Sequence, residues 1–502
     1  MREIELKFGL SAPFDPSAFL TGDGATAGVV ELPSQDLRAT YYDTDDLRLA
    51  RSGTTLRFRA GEDQSEGWSV KLPISTKGQT LDREELFFEG TPREIPPPAA
   101  GLVVAYARSA SLRAVATLRT KRQRWSLVAP DGREMAVLTD DQVSVVEGRR
   151  VVSRFRELEV ESANAKKAEL KAIAFALRST GAVASEPIPK VVRAMGPRAT
   201  APSDIPPSRE VSPGEPAKLA VAEAASNALR RLVMNDSRAR LGDPEGVHQM
   251  RVAARRLRSD LRTFAPLVSP AWAGSLTEEL RWVARALGDV RDLDVLRARI
   301  EADRSGIEDD LDPLFEWISE RMTAARTALD AALTSDRYRA LLERMVDAAA
   351  TPLVTGEAEQ PCRAVLPPLV ANTWRKLKKE VARLDRNPSD EGLHKVRIRA
   401  KRARYAAEAV APFLDDGDAA ARFASGAARI QDILGLHQDA IVTIDAITQV
   451  AEQRPEDGAF NLAAGRLIER QGQEAREQRL RWSKAWRKLE RRKVSGWLTA
   501  RG

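Results

Sequence analysis

A chain of 502 residues is longer than one hydrophobic core uses, so two or more domains are expected, and 43% hydrophobic with 30% charged residues is the composition of a soluble globular protein. Lysine and arginine total 79 against 72 acids, so a basic surface must arise from placement rather than from the net charge of +7. The single cysteine, Cys362, excludes an internal disulfide and, with only three histidines, nearly excludes a Cys/His zinc site; no apolar run of about 18 residues and no signal peptide is evident, so a cytoplasmic protein without a membrane partner is expected.

In chain order, Met1 to Phe8 alternates Glu3, Glu5 and Lys7 with Ile4, Leu6 and Phe8, which in a strand puts charge on one face and apolar side chains on the other. Gly22-Asp-Gly24 marks a loop, Leu37 to Tyr42 a strand, Asp43-Thr-Asp-Asp46 a turn or helix cap, and Leu47 to Arg51 a short helix. Thr54 to Ala60 and Gly67 to Pro73 predict a hairpin around residues 61–67. Further strands are expected over 83–88, 114–119, 123–129, 134–138, 143–146 and 154–161, with turns at Pro130-Asp-Gly132 and Glu147-Gly148. The charged face recurs in them, at Arg57 and Arg59, Lys71, Arg122 and Arg124, then Glu157, Glu159 and Glu161. About eight antiparallel strands of this length can close into a barrel, and one charged face per strand gives it a polar lumen. An amphipathic helix over 165–178, ended by Gly181, follows.

Residues 196–216 hold six prolines and read as an extended linker between a domain over 1–195 and another over 217–502. The second half is all helical, with breaks at Asp243-Pro244, Ser269-Pro270, Pro388-Ser389 and Pro455. It is also duplicated. His248-Gln-Met-Arg-Val-Ala-Ala-Arg-Arg-Leu-Arg258 matches His394-Lys-Val-Arg-Ile-Arg-Ala-Lys-Arg-Ala-Arg404 at an offset of 146, and Leu287-Gly-Asp-Val-Arg-Asp292 matches Leu434-Gly-Leu-His-Gln-Asp439 at 147. The expected fold is therefore α+β with two domains: an antiparallel eight-stranded tunnel or barrel with helices, then two repeated four-helix bundles related by a pseudo-twofold.

Glu3 and Glu5 on the first strand and Glu157 with Glu159 on the last become neighbours if the barrel closes. They would repel unless a divalent cation lay between them, and the cation would be a hard one held by carboxylates. Lys7, Arg57, Arg59, Lys71, Arg122 and Arg124 would fill the rest of the lumen, the combination that phosphoryl transfer uses. On a helix, positions i, i+3, i+7 and i+10 share a face, so His248, Arg251, Arg255 and Arg258 form one basic stripe and His394, Arg397, Lys401 and Arg404 another, with Arg256 and Arg402 at the edges. Stacked like charges destabilise an isolated helix, and a bound polyanion would relieve them, as would acids on an adjacent helix. His437, with Val290 at its place in the first repeat, joins this binding set or is structural.

Glu3-Ile-Glu-Leu-Lys7, Tyr41-Tyr-Asp-Thr44, Leu56-Arg-Phe-Arg59, Lys71 and Glu157-Leu-Glu-Val-Glu161, in that order, make residues 1 to about 195 resemble the CYTH superfamily of triphosphate tunnel metalloenzymes. The resemblance implies a tunnel that hydrolyses triphosphate groups with Mg²⁺ or Mn²⁺. Glu3, Glu5, Asp140, Glu157 and Glu159 would then be metal ligands, Lys7, Arg57, Arg59, Lys71 and Glu85 catalytic, and Arg122, Arg124 and Lys190 would grip phosphate; Glu84 or Asp141 could stand in for Glu85 or Asp140. The paired His-x-x-Arg blocks make the helical half similar to the CHAD domain, which implies a basic groove for inorganic polyphosphate. The expected function is an inorganic triphosphatase acting on tripolyphosphate, with long-chain polyphosphate held by the helical half. A non-catalytic polyphosphate-binding scaffold, an adenylyl cyclase and a thiamine triphosphatase are the alternatives. Nucleic acid is disfavoured, because aromatics are only 5% and few lie near the stripes to stack on bases.

Overall fold

The computed structural model describes residues 2–9, 28–61, 66–77, 80–179, 181–307 and 311–498. The loop expected at Gly22-Asp-Gly24 and most of the turn between residues 61 and 67 lie outside these. The chain divides into two compact units, Met1–Asp204 and Ile205–Gly502.

The first unit holds β1 (Arg2–Gly9), β2 (Gly28–Asp43), β3 (Thr55–Gly61), β4 (Gly67–Lys77), β5 (Thr80–Phe88), β6 (Arg113–Val128), β7 (Glu134–Glu147), β8 (Arg150–Ser162) and the short β9 (Val183–Ala184). The order β5-β4-β3-β2-β6-β7-β8-β1, with β1 pairing back onto β5, closes eight described strands into an antiparallel barrel. Its helices are α1 (Arg48–Arg51), α2 (Pro97–Ala107), α3 (Lys167–Ser179), α4 (Lys190–Met195) and α5 (Pro197–Thr200). On the outer face Leu6, Phe8, Leu127, Leu138, Leu158 and Val160 pack against Ile173 and Leu177 of α3. Burying Phe8 there contributes about 2 kcal/mol. On the inner face Ala39, Tyr41, Leu118 and Val143 pack on Val191 and Val192 of α4, so one end of the lumen is apolar and filled.

Several elements differ from expectation. The pairs of strands expected over 114–129 and over 134–146 are single strands, β6 and β7. The polar runs read as breaks, Thr120 to Arg122 and Thr139 to Gln142, stay paired in register, with Arg122 held by Asp141 directly opposite on the neighbouring strand. Helix α2 was not foreseen; prolines at its start suit the first turn, where no N–H is needed. The proline-rich segment is packed rather than free. Arg51 Nε donates to the Pro202 carbonyl at 2.8 Å on the first unit, and Val211 is buried in the helical core of the second.

The second unit comprises α6 (Ala217–Arg240), α7 (Pro244–Thr263), α8 (Pro270–Asp303), α9 (Asp312–Thr334), α10 (Asp336–Ala350), α11 (Cys362–Val381), α12 (Asp390–Val410), α13 (Gly417–Glu452), α14 (Gly458–Leu489) and α15 (Arg492–Ser495). Asp243 caps α7 through the Glu245 N–H at 2.9 Å and Ser389 caps α12 through the Gly392 N–H at 3.1 Å. A Cβ on Gly246 would lie 2.7 Å from Ala239 N, so glycine lets α7 start this close to α6. Helices α6–α9 are repeated in order by α11–α14, and α7 meets α12 between the repeats. These two sets of four do not form self-contained bundles, however. Helix α10 packs onto α6, α8 and α9, and one core joins Leu296, Ile300 and Leu314 of the first repeat to Ile447, Phe460 and Leu467 of the second. The cause is length: α8 and α13, at 34 and 36 residues, span about 50 Å and outrun a single bundle.

Candidate active site

Strand alternation decides what enters the lumen. In β1, Ile4, Leu6 and Phe8 alternate with Glu5 and Lys7, and Glu5 and Lys7 are 4% and 1% exposed. The register then continues the charged face around the wall, pairing Lys7 with Glu159, Asp141 with Glu157, Arg122 with Asp141, Tyr41 with Arg57 and Lys71 with Glu85. Lys7 Nζ bonds Glu159 and lies 3.3 Å from Glu157 Oε1 and 3.6 Å from Glu5. Lys190, at the start of α4, reaches Asp141 and Glu157 at 3.0 Å each and also bonds Glu159. Arg122 holds Asp141 bidentately at 2.8 and 2.7 Å. Burial opposes the charge on Glu159, but Lys190, Lys7 and Arg122 outweigh it and hold its carboxyl well below the usual range.

A second cluster lies across the lumen. Arg57 donates to Glu85 Oε1 at 2.9 Å and Lys71 lies 3.2 Å from Glu85 Oε2. Burial disfavours the charged form of Glu85, but Lys71, Arg57 and Arg59 prevail and hold it at about 2. Because this folded value lies below the ordinary 4.5, the stabilisation is present above pH 4.5 and is lost as pH falls towards 2, roughly 3 kcal/mol in all. Glu85→Gln is therefore expected to flatten the fall in urea midpoint of the full chain between pH 4.5 and 2.5; an unchanged slope would contradict it.

Arg59 is different. It is half-buried on the lumen face and has no ion pair or hydrogen bond among the described residues. The guanidinium of Arg57, then burial, then that of Arg122 push it down to about 10. Arg124, next along β6 from Arg122, also lacks a described partner.

One assignment changes. Asp140 points to the outer face of β7, where Arg156 Nε holds it at 2.7 Å; Asp141, wholly buried, is the carboxylate that faces the lumen. One residue of strand parity separates the two. Glu85, rather than Glu84, faces the lumen. Glu3 pairs in register with Arg83, but its side chain lies outside what the structure describes. Two cations escaped the sequence reading: Arg83, which donates to Glu5 at 2.7 Å, and Arg193, 3.3 Å from Glu157. Arg83 lies two residues before Glu85 and so shares its face, a signal that was available.

The donor set suits a hard divalent cation. Glu5, Glu157, Glu159 and Glu161 present only carboxylate oxygens to the lumen, and Glu157 Oε2 is buried and accepts no hydrogen bond, its one described partner being Arg193 at 3.3 Å. Among the described residues no three such ligands converge as yet, since Lys7 and Lys190 stand between them.

In the helical unit the two stripes lie on α7 and α12. Arg251 pairs with Asp292 at 2.8 Å, and His394 Nδ1 is 2.8 Å from Gln438 Oε1. Arg404 bonds Glu408 at 2.7 Å, and Lys401 lies over the Tyr405 ring at 5.6 Å. His248 Nδ1, Arg258 Nε and Arg397 Nε are buried with no partner, while Arg255 is half-buried. Buried donors left empty along both stripes are what an anion would fill. His437 does not join them: it is 3% exposed and its Nε2 lies 3.2 Å from Asp390 in the first turn of α12.

Residues 1–193 match the CYTH domain family and residues 223–448 match the CHAD domain family. The chain joins a CYTH domain to a CHAD domain. An uncharacterised protein of Mycobacterium tuberculosis strain H37Rv, Rv2226, is 28% identical over 523 residues, 97% of this chain and 96% of the relative. Among solved structures, PptA from Streptomyces chartreusis is 23% identical, covering 54% of this chain and 99% of its own, with a TM-score of 0.45. The CHAD domain of Ricinus communis is 25% identical, covering 59% of this chain and 95% of its own, with a TM-score of 0.42. No described helix is long and apolar enough to cross a membrane.

Proposed function

We propose that the CYTH domain is a metal-dependent inorganic triphosphatase acting on tripolyphosphate, and that the CHAD domain holds long-chain polyphosphate. The observation that carries the first part is Arg59, a guanidinium with no ion pair among the described residues, set between two others in a lumen whose remaining described acids and bases are mostly paired. A triphosphate would turn its repulsion from Arg57 and Arg122 into shared binding, with Arg124 and Lys71 beside them. Glu85 orients Arg57 and Lys71 from behind. Glu5, Glu157 and Glu159, with Glu3 expected beside them, would hold Mg²⁺ or Mn²⁺. Such an ion neutralises phosphate oxygens and lowers the pKa of bound water. Lys7 and Lys190 balance the carboxylates' charge. Release of phosphate from tripolyphosphate, ATP and thiamine triphosphate, each with Mg²⁺ and with Mn²⁺, tests the reading: preferred turnover of tripolyphosphate is expected, and cyclic AMP from ATP would replace it with a cyclase.

The orphaned donors on α7 and α12 support polyphosphate binding. Burial, then Arg291, Arg251 and Arg255, lower the pKa of His248, so it is neutral near pH 7. A phosphate chain alongside would raise that pKa, and binding should tighten as pH falls. The His248 ring resonance, titrated by NMR with and without polyphosphate, reads the shift directly; an identical titration would refute the contact.

A further inference from the structure

The duplication builds two counterpart pockets where α7 and α12 meet, and their charges have diverged. The first, about 250 Å³, is lined by Ser259 and Arg262 of α7, Asn372 and Lys376 of α11, and Arg399 and Arg402 of α12. The second, about 850 Å³, is built from the same places shifted by 146 residues along α7 and α12 and by 145 along α6 and α11. There Glu408 replaces Arg262, Tyr405 replaces Ser259 and Ala253 replaces Arg399, while Arg256 and Arg231 keep the charges of Arg402 and Lys376.

The second pocket answers its own cations. Arg256 lies 3.0 Å from Asp260 and also bonds Glu408, which takes a 2.7 Å bond from Arg404. The first has no lining carboxylate among the described residues. Only Arg399 is paired, 3.2 Å from Glu380; Arg262, Lys376 and Arg402 have no ion pair among the described residues. Arg262 and Arg399 repel Arg402, which burial already disfavours. Three cations without an acid among the described residues, beside a fourth that has one, repel one another unless an anion joins them.

We propose that this pocket binds a small multivalent phosphate, either free pyrophosphate or the terminal groups of a phosphate chain. Guanidinium forks match phosphate oxygens two at a time, Lys376 adds a point charge, and the Asn372 amide and Ser259 hydroxyl supply neutral donors. The Thr263 and Thr373 hydroxyls donate to backbone carbonyls instead. A cavity of about 250 Å³ suits one or two phosphoryl groups and not an extended segment. Arg402, placed by the sequence at the edge of the α12 stripe, lines this pocket; none of His394, Arg397, Lys401 and Arg404 or of their α7 counterparts does, and the pocket rests on no chemistry in the tunnel.

Calorimetric titration of the full chain with pyrophosphate tests it, with Arg262→Glu copying the counterpart pocket. That variant is expected to lose one binding site, or to weaken it at least 30-fold, and leave any tunnel site in place. Lys376→Ser, on the exposed rim, should weaken the same site about fivefold to tenfold without risk to folding. Polyphosphates of about 20 and 100 units then separate the sources: stoichiometry that follows chain ends identifies the terminus, and binding of pyrophosphate alone identifies the free ion. Wild-type pyrophosphate isotherms in both variants, with helical content unchanged, would overturn the proposal.

Discussion

An Arg59→Ala chain is expected to lose about 10²- to 10³-fold in tripolyphosphate turnover, the usual cost of removing one preorganised donor aimed at developing phosphate charge. Most other lumen cations already have protein partners: Lys7 and Lys190 hold Glu159, Arg122 holds Asp141, and Arg57 holds Glu85. Their loss would therefore disturb carboxylates as well as substrate, and the effects could not be separated. Arg59 breaks no described ion pair. Removing it relieves repulsion with Arg57 and Arg122, so the barrel should become slightly more stable while turnover falls. Loss of activity together with an unchanged or raised urea midpoint is the expected pair of results. Full turnover by Arg59→Ala, or a collapse of the fold, would contradict this account of the lumen.

The second large effect belongs to the helical stripes. Replacing Arg251, Arg258 and Arg397 together by serine is expected to weaken polyphosphate binding by about 10³-fold at moderate salt, roughly tenfold for each charged contact removed. The slope of log affinity against log salt should also fall, by about 2 for three lost phosphate contacts. Two of the three carry a buried Nε without a partner, so these side chains are held in place but not satisfied. His437→Ala should behave differently: it would loosen the start of α12 through Asp390 and leave the salt slope intact. A salt slope unchanged in the triple variant would place the polyanion elsewhere.

Much of this was legible because strand alternation is local. Glu5, Lys7, Arg57, Arg59, Arg122, Arg124, Glu157 and Glu159 share a face by period two alone, and the barrel then brings those faces together. Asp140 was misplaced because the run Thr139-Asp-Asp-Gln142 reads as a break, and parity cannot be carried across a break. Once β7 is continuous, Asp141 follows. That Lys190 stands beside Glu159 is a tertiary fact, set by how α4 fills the barrel end, and no local period reveals it. In the helical half the repeat was plain in the sequence, but the sharing of cores between repeats depends on the lengths of α8 and α13. The role of His437 is a tertiary fact too: Val290 in its place marks it as different, and only the contact with Asp390 says why.

The central claim is that carboxylates and cations from distant strands form one metal-dependent triphosphate site. Its most direct test is phosphate release from tripolyphosphate by the full chain, with Mg²⁺ or Mn²⁺ and with a chelator, beside Glu159→Gln. Turnover that requires the metal and disappears in Glu159→Gln is predicted. Equal release with chelator present, equal release by the variant, or none from the unaltered chain with either metal would contradict it.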